Sequence, residues 1–404
     1  AALSLFGCSQ KKTITDDSAW LRNGIETAQF QLKMTAEAID SKNIQDTAVF
    51  PRSILNPKPM AEKNPQNWID SLRLEKPRDW TSGFFPGSMW LAYELTGDDT
   101  LKQEARKYTE LLSDLQYYTG THDLGFMVFC SFGNAYRLAP EAGDSAIIVN
   151  ASKSLASRYN PQKGVIRSWD FGEWTYPVII DNMMNLEMLF WASQATQDST
   201  FRNIAITHAD NTMKFHYRPD MSCCHVVDYI DPTNDITKQM TYQGYSDSST
   251  WARGQAWGLY GYTLCFEETN HSAYLERAQQ IAKFIMENPA IPEDLIPYWD
   301  YNAPTIPDAP RDASAAAVTA SALFELSTLV ENGQTYFDYA EKIIKELSTP
   351  NYLAEKGTNN GFILKHSTGS LPHGSEIDVP LNYADYYYLE ALKRYIKLKN
   401  IDSK

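Results

Sequence analysis

Apolar residues recur along most of the chain at the three- and four-residue spacing of one helix face, which predicts a mainly helical protein. The predicted helices are paired, and a short polar turn joins the two members of each pair. The turns supply Ser or Thr as predicted N-caps, at Thr100, Ser145, Thr200, Ser272 and Thr335. Because these positions recur at irregular intervals, the chain is a degenerate repeat of one helical hairpin.

Five hairpins are predicted, near residues 85–117, 125–159, 181–217, 250–288 and 312–348, with single helices near 20–40 and 381–398. If the two single helices pair, the count is six hairpins. A closed ring of six hairpins buries every apolar stripe, whereas an open solenoid needs polar capping repeats. We therefore predict an all-α, six-hairpin toroid. No linker interrupts residues 20–404, which are expected to form a single domain, and short extended segments are expected at 164–169 and 224–230.

The first residues form an apolar stub that ends at Cys8 and is followed by polar residues. This pattern is typical of a bacterial lipoprotein signal, in which the cysteine is lipidated. An ordinary signal peptide end or a cloning remnant would also leave such a stub. We expect residues 1–19 to be a signal remnant and tether, with Cys8 as the lipid attachment point and membrane contact through that anchor only. The expected location is the bacterial cell envelope, in the periplasm or at the outer membrane.

Composition narrows the classes of partner. The net charge of −14 argues against nucleic acid and anionic membranes, which bind dense basic surfaces. The 10 Trp and 24 Tyr are typical of proteins that bind sugars, although a Tyr-rich helical core also contains such rings. The other four cysteines have no regular spacing, and Cys223, Cys224 and His225 are adjacent without a second ligand cluster. No disulfide framework, metal site or cofactor is predicted.

The segment 251–257 (Trp-Ala-Arg-Gly-Gln-Ala-Trp) places a guanidinium between two indoles. Flat apolar rings and a planar fork of donors suit a ring-shaped ligand that carries a carboxylate, and an acidic sugar fits that description. A buried guanidinium without an anion is costly, so Arg253 is expected to meet the ligand carboxylate. The alternative is that Trp251 and Trp257 are core residues and Arg253 a solvated charge.

Polar clusters open the first helix of each predicted hairpin, and in a closed ring these helix N-termini gather on one face. An Asp before a helix is commonly only a cap, and we retain that interpretation for Asp312. Asp123 and Asp181 have apolar and aromatic surroundings. There, one carboxyl can stay protonated near neutral pH while its neighbour ionises.

At these residues the chain resembles the unsaturated glucuronyl hydrolases of glycoside hydrolase family 88, over nearly its whole length after about residue 20. The resemblance rests on segments 122–126 (His-Asp-Leu-Gly-Phe), 181–185 (Asp-Asn-Met-Met-Asn) and 251–257, together with His225 and Gln243. It implies an (α/α)6 barrel without metal or organic cofactor. It also implies removal of a 4,5-unsaturated glucuronic acid from the non-reducing end of oligosaccharides made by polysaccharide lyases.

The resemblance further implies that Asp181 is the general acid/base and Asp123 the second carboxylate. The implied pocket residues are Trp80, His122, Trp169, His225, Gln243, Trp251, Arg253, Trp257 and His373. For the three histidines, a satisfied structural role is the alternative. The loop 365–375 contains Ser367, Ser370 and Ser375, which either contact a downstream sulfate or belong to a plain Gly/Ser loop.

Three rival functions stay open at this point. Family 105 hydrolases perform the same chemistry on unsaturated galacturonyl or ulvan fragments, but they tend to carry Arg-Gly-Asn-Gly-Trp where this chain has Arg-Gly-Gln-Ala-Trp. A lyase on a helical toroid would create the double bond rather than consume it. A surface glycan-binding lipoprotein would use the aromatic rings and Arg253 without needing two aspartates.

Overall fold

A computed structural model describes residues 12–13, 18–42, 48–55, 68–231 and 236–402. The predicted lipidation site at Cys8 lies outside these residues. Within them, no helix is long and apolar enough to cross a bilayer.

Twelve α-helices lie in the described part of the chain, and they fall where the apolar periodicity predicts them. Their bounds are α1 Ala19–Ser41, α2 Phe84–Thr96, α3 Asp99–Glu110, α4 Asn134–Leu138, α5 Asp144–Ala156, α6 Leu186–Thr196, α7 Ser199–Phe215, α8 Ala252–Thr269, α9 Ser272–Glu287, α10 Ala313–Leu329, α11 Gln334–Leu347 and α12 Asn382–Lys399. A π-helix, Gly125–Gly133, runs directly into α4.

The helices form two concentric layers. Helices α2, α4 with its π-helix, α6, α8, α10 and α12 each pack against the next, and α12 returns to α2, which closes the inner ring. The inner helices α2, α4, α6, α8 and α10 are each followed in the chain by an outer helix, whereas α1 is the outer helix that precedes the ring and packs against α2, α3 and α12. The predicted six-hairpin (α/α)6 barrel is confirmed, including the pairing of the first and last helices.

Hydrophobic residues are distributed differently in the two layers. In the inner helix α10 every residue from Ala313 to Phe324 is buried, as expected for a helix surrounded by others. The outer helix α11 buries only one stripe: Phe337, Ala340, Ile343, Ile344 and Leu347. The apolar residues that recur at three- and four-residue spacing in the sequence therefore belong mainly to the outer helices.

The predicted N-caps are one or two residues too late. The residues that precede α3, α5, α7, α9 and α11 are Asp98, Gly143, Asp198, His271 and Gly333. Asp98 and Asp198 accept hydrogen bonds of 2.9 Å from the backbone N–H groups of Thr100 and Thr200. In these two turns the predicted caps, Thr100 and Thr200, are donors to the true caps, because a capping side chain reaches two residues forward, whereas Gly143, His271 and Gly333 make no side-chain cap hydrogen bond.

Among the described residues, nine short strands form four small sheets. Strands β1 Lys12–Thr13 and β9 Ile401–Asp402 pair in parallel, whereas the antiparallel pairs are β2 Phe50–Ile54 with β3 Leu72–Glu75 and β4 Tyr159–Asn160 with β5 Val165–Ile166. The remaining sheet has the order β6 Pro177–Ile179, β7 Val226–Asp231 and β8 Ile236–Met240. The two predicted extended segments are confirmed as β5 and β7, whereas β2 and β3 were not predicted.

Candidate active site

The small sheet β6–β7–β8 positions the first catalytic candidate. Strand β6 leads into a 3₁₀ turn, Ile180–Asn185, which contains Asp181, and Ile180 donates its backbone N–H to the carbonyl of His225 over 3.1 Å. This backbone pairing brings the two side chains together, with Nε2 of His225 3.7 Å from Oδ2 of Asp181. Asp181 is only 6% exposed, and its Oδ2 has no hydrogen-bond partner among the described residues.

The environment of Asp181 favours the protonated carboxyl. Burial raises the pKa of Asp181 to about 7, and the negative charge of Asp123 adds to the increase. The positive charge of Arg253 acts in the opposite direction. A carboxyl that titrates near neutral pH can both donate and accept a proton, which is the behaviour predicted for one of the two aspartates.

The carboxylate of Asp123 accepts a hydrogen bond from a neighbouring hydroxyl and lies beside an imidazole nitrogen that has no hydrogen-bond partner among the described residues. Its Oδ2 accepts a hydrogen bond of 2.8 Å from the hydroxyl of Thr121, and its Oδ1 lies 3.1 Å from Nε2 of His122. Nδ1 of His122 is 2.7 Å from the carbonyl of Ser168, which fixes the ring. Burial lowers the pKa of His122. The alternative that Asp123 only caps a helix therefore does not account for its carboxyl contacts.

His225 is oriented by the backbone of a neighbouring loop. Its Nδ1 accepts hydrogen bonds from the N–H groups of Tyr242 and Gln243, at 3.1 and 3.0 Å. Burial lowers the pKa of His225 well below its usual value, so the ring is neutral and its proton is on Nε2. That proton faces Asp181. His225 therefore makes its hydrogen bonds at Nδ1 only. The side-chain amide of Gln243 donates to the carbonyl of Gly369 over 3.2 Å.

Arg253 corrects one expectation. The guanidinium was expected to meet the carboxylate of the ligand or to be a solvated charge, but its Nη1 lies 2.6 Å from Oδ2 of Asp312, and the two side chains are 1% and 0% exposed. Its Nη1 and Nη2 also donate to the carbonyls of Thr368 and Gly369. Nε alone of the three nitrogens has no acceptor among the described residues. The positive charge is therefore compensated by the protein, while one edge of the fork is left for a ligand.

Asp312 has two roles. Its Oδ1 accepts the backbone N–H of Ser314 over 3.1 Å, which confirms the predicted cap of α10. Its other oxygen holds Arg253, which the sequence did not reveal because the two residues are distant in the chain.

The aromatic residues form the walls and floor of the site. Trp251 lies 4.7 Å from the ring of His225 and 4.5 Å from Cζ of Arg253, as ring centroid distances. Trp257 is fully buried and packs against Phe126 at 5.3 Å, so it belongs to the core while the structure leaves its indole N–H without a partner in the described chain. The interpretation of these tryptophans as core residues is confirmed, and their contact with a ligand stays a prediction.

Trp80 and a residue that sequence reasoning missed complete the inner wall. The indole of Trp80 is half-buried and lies 5.0 Å from the ring of Tyr383 at the start of α12. The guanidinium of Arg253 lies over that ring at 5.2 Å. The only sequence signal for Tyr383 was its position at a helix N-terminus on the active-site face.

Trp169 and His373 lie farther out. Trp169 stacks on Phe171 at 5.0 Å and lies 6.3 Å from the ring of His225. The exposed ring of His373 packs on Tyr242 at 4.3 Å, and its Nδ1 is 2.7 Å from the hydroxyl of Ser370. Phe171 and Tyr242 were not predicted. Of the three serines in this loop, Ser367 is buried, so it does not contact a ligand at the surface.

Several buried polar atoms converge here without a hydrogen-bond partner in the described residues. They are Nε2 of His122, Nε1 of Trp169, Oδ2 of Asp181, Nε2 of His225, Nε1 of Trp257 and the hydroxyl of Tyr383. Buried polar groups in folded proteins are almost always paired, so such a cluster marks a place where a polar ligand binds.

In the part of the chain that the structure describes, no group of three or more His, Cys, Asp or Glu side chains is placed to hold a metal ion. Cys223 and Cys224 are buried, and their thiols contact backbone carbonyls.

The family model Glycosyl Hydrolase Family 88 matches residues 55–395. The chain belongs to this family. It is 48% identical over 320 residues to an unsaturated glucuronyl hydrolase of Formosa agariphila, a match that covers 78% of this chain and 80% of the relative. The family assignment made from segments 122–126, 181–185 and 251–257 is confirmed, and the protein is a glycoside hydrolase.

Solved structures agree with this assignment. An unsaturated glucuronyl hydrolase specific for heparin superimposes with a TM-score of 0.89 at 49% identity, covering 96% of this chain and all of the other. An Asp-to-Asn mutant of a Streptococcus agalactiae enzyme, in complex with dGlcA-GalNAc6S, superimposes with a TM-score of 0.75 at 27% identity and covers 96% and 93% of the two chains. The rival functions are not favoured by these similarities.

Proposed function

We propose that this protein removes a 4,5-unsaturated glucuronic acid from the non-reducing end of glycosaminoglycan-type oligosaccharides. The observation that carries the proposal is the buried Asp181, whose pKa is raised to about 7 beside a second carboxylate, Asp123. Family membership and the printed activities of the relatives support the same reaction.

The chemistry uses the two carboxyls differently. The terminal ring of such a substrate contains an enol ether conjugated with its carboxylate. Protonated Asp181 donates to C4, which leaves an oxocarbenium-like cation at C5, and ionised Asp123 stabilises that positive charge. Asp181 then accepts a proton from the water that attacks C5. The resulting hemiketal opens and releases the neighbouring sugar, so no nucleophile attacks the anomeric carbon.

Arg253 and His225 bind and orient the ring in this scheme. Nε of Arg253 is free to donate to the substrate carboxylate, while Asp312 and the carbonyls of Thr368 and Gly369 hold the other two nitrogens in place. The Nε2 proton of His225 faces the same space as Asp181. Fixing the ring in this way aligns C4 and C5 with the acid and the water.

The decisive experiment follows ultraviolet absorbance with a panel of unsaturated disaccharides prepared by lyases from chondroitin, hyaluronan and heparin. A hydrolase removes the conjugated double bond, so absorbance falls. A lyase acting on the parent polymer would raise absorbance, and a glycan-binding protein would leave it unchanged. The panel also identifies the preferred parent polymer and sulfation, for which relatives carry names that include both heparin and chondroitin disaccharide.

We further propose that the protein is anchored to the bacterial cell envelope through a lipid on Cys8. The support is the apolar stub followed by Cys8 and a polar segment. Expression of a full-length precursor with Cys8→Ala should move the protein from the membrane fraction to the soluble fraction. An unchanged distribution would exclude lipidation at this cysteine.

A further inference from the structure

We infer that Phe171 is a stacking platform for the second sugar downstream of the scissile bond, so that the enzyme distinguishes its substrates by chain length. The inference rests on the proposed function, since that function places the terminal unsaturated ring at Asp181. It adds a residue and a subsite outside the predicted set.

A continuous series of rings leads from the acid to the surface. His225 lies 3.7 Å from Asp181, and the ring of Trp169 lies 6.3 Å from that of His225. Phe171 stacks on Trp169 at 5.0 Å with only 20° between the ring planes. A substrate whose non-reducing end contacts Asp181 therefore extends its reducing end along Trp169 towards Phe171.

Exposure increases along this series. Trp169 is 9% exposed, whereas Phe171 is 53% exposed. A single exposed apolar side chain is ordinary in a folded protein, but Phe171 is the outermost member of a cluster with Trp169 and Tyr242, at 5.0 and 5.8 Å. A phenyl ring donates no hydrogen bond, so it recognises the C–H face of a sugar by shape and dispersion.

The loop that carries Phe171 is fixed before a ligand arrives. The carboxylate of Asp170 pairs with Arg158 at 2.9 Å and with Arg167 at 3.1 Å. On the other side Trp174 packs edge-on against Trp169 at 5.9 Å. A rigid ring loses little conformational entropy on binding, which favours a stacking contact.

The order of contacts assigns the subsites. Trp169 and Tyr242 lie between the acid and Phe171, and the buried indole N–H of Trp169 has no acceptor in the described chain. The first downstream sugar contacts these two residues. Phe171 is then reached only by the next sugar, which a disaccharide lacks.

The test compares an unsaturated disaccharide with an unsaturated tetrasaccharide from the same polymer. For Phe171→Ala we expect KM for the tetrasaccharide to rise about three- to tenfold with kcat unchanged, while kinetics on the disaccharide change less than about twofold. Phe171→Tyr should restore the tetrasaccharide KM. Phe30→Ala is the matched control, because Phe30 is 45% exposed on α1, which contributes no residue to the site.

Three results would overturn the inference. They are an equal change on both substrates, no change on the tetrasaccharide, and failure of the wild-type enzyme to use the tetrasaccharide while it cleaves the disaccharide. Failure of the wild-type enzyme on every unsaturated substrate would instead reject the proposed function, so the two hypotheses are distinguishable.

Discussion

Asp181 and Asp312 stand on the same face of the barrel, each ahead of an inner helix, and both are nearly inaccessible. Their partners differ. Asp312 pairs with a guanidinium at 2.6 Å and caps α10 with its other oxygen. Asp181 has another carboxylate nearby and one oxygen without a partner among the described residues. The same residue type in similar burial is thus structural where its charge is compensated, and it is the proposed acid where its charge is not compensated.

The largest expected effect is on the reactive side of this comparison. Asp181→Asn should lower kcat by about 10²- to 10⁴-fold or more, because the amide is isosteric but cannot exchange a proton. Binding of an unsaturated disaccharide, measured by calorimetric titration, should persist. Asp198→Asn is the control, since Asp198 is an N-cap and Asn caps a helix equally well. Activity of Asp181→Asn within a few-fold of wild type would contradict the assignment of Asp181 as the general acid.

Substitution of Asp312, the structural member of the pair, is expected to lower the stability of the protein. Asp312→Ala leaves Arg253 buried without its anion, and we expect the free energy of unfolding to fall by about 3–5 kcal/mol. Denaturant titration measures this. Asp181→Asn in the same assay should be neutral or stabilising at pH 8, because it removes a buried charge. Equal destabilisation by the two variants would contradict the comparison.

Arg253 links the two halves of the comparison, since Asp312 holds it and its Nε has no acceptor among the described residues. We expect Arg253→Ala to lower kcat/KM by at least about tenfold, or about 1.4 kcal/mol, with a higher KM. Arg253→Lys should have a milder effect, because an ammonium keeps the charge but lacks the planar fork. The Arg253 hypothesis fails if Arg253→Ala retains the wild-type kcat/KM, or if a substrate complex shows the guanidinium bound only to protein groups.

The pH dependence sharpens the electrostatic argument. In the proposed mechanism the protonated form of Asp181 is the acid, so kcat/KM should fall as pH rises through about 7. The folded-state pKa lies above the unfolded value of about 3.9, so the folded protein binds the extra proton between these two values. Its stability relative to Asp181→Asn should therefore decrease from pH 4 to pH 7 and level off above. Denaturant titrations of wild type and Asp181→Asn across this pH range measure the difference in their free energies of unfolding. If the pKa of Asp181 were unshifted, this difference would not change with pH.

The smallest effect is expected at the rim. His373 is exposed and contacts Tyr242 and Ser370 rather than the carboxyls. His373→Ala should change disaccharide kcat/KM by less than about threefold, because exposed substitutions away from special features seldom exceed about 0.5 kcal/mol. A loss of kcat/KM as large as that expected for Arg253→Ala would indicate that His373 belongs to the substrate pocket.

Much of the architecture was predictable, because each outer helix repeats an apolar stripe that has to be buried. The closed ring followed from the absence of polar capping repeats, and the pairing of α1 with its neighbours confirmed it. Cap positions were less accurate, as Asp98 and Asp198 show, since each of these two turns contains both Asp and Thr and local sequence does not rank them.

The site divides in the same way. Asp123, Asp181 and Arg253 were singled out because their motifs lie at predicted helix starts that a ring gathers on one face, whereas His225, which precedes β7, was named only through the family resemblance. Tyr383, Phe171 and Tyr242 were missed, since a tyrosine at the start of a helix or a phenylalanine in a loop has no local signature that separates a ligand contact from packing.

The sequence by itself determined the helical repeat, its closure into a ring and the chemical types available on one face, because periodicity and helix ends are local properties. Only the tertiary structure decided which charges are compensated. Asp312 meets Arg253 across 59 residues of sequence, and the pairing of β6 with β7 brings His225 to Asp181. Burial and the distances between distant residues control the protonation of a carboxyl, and neither quantity exists until the chain has folded.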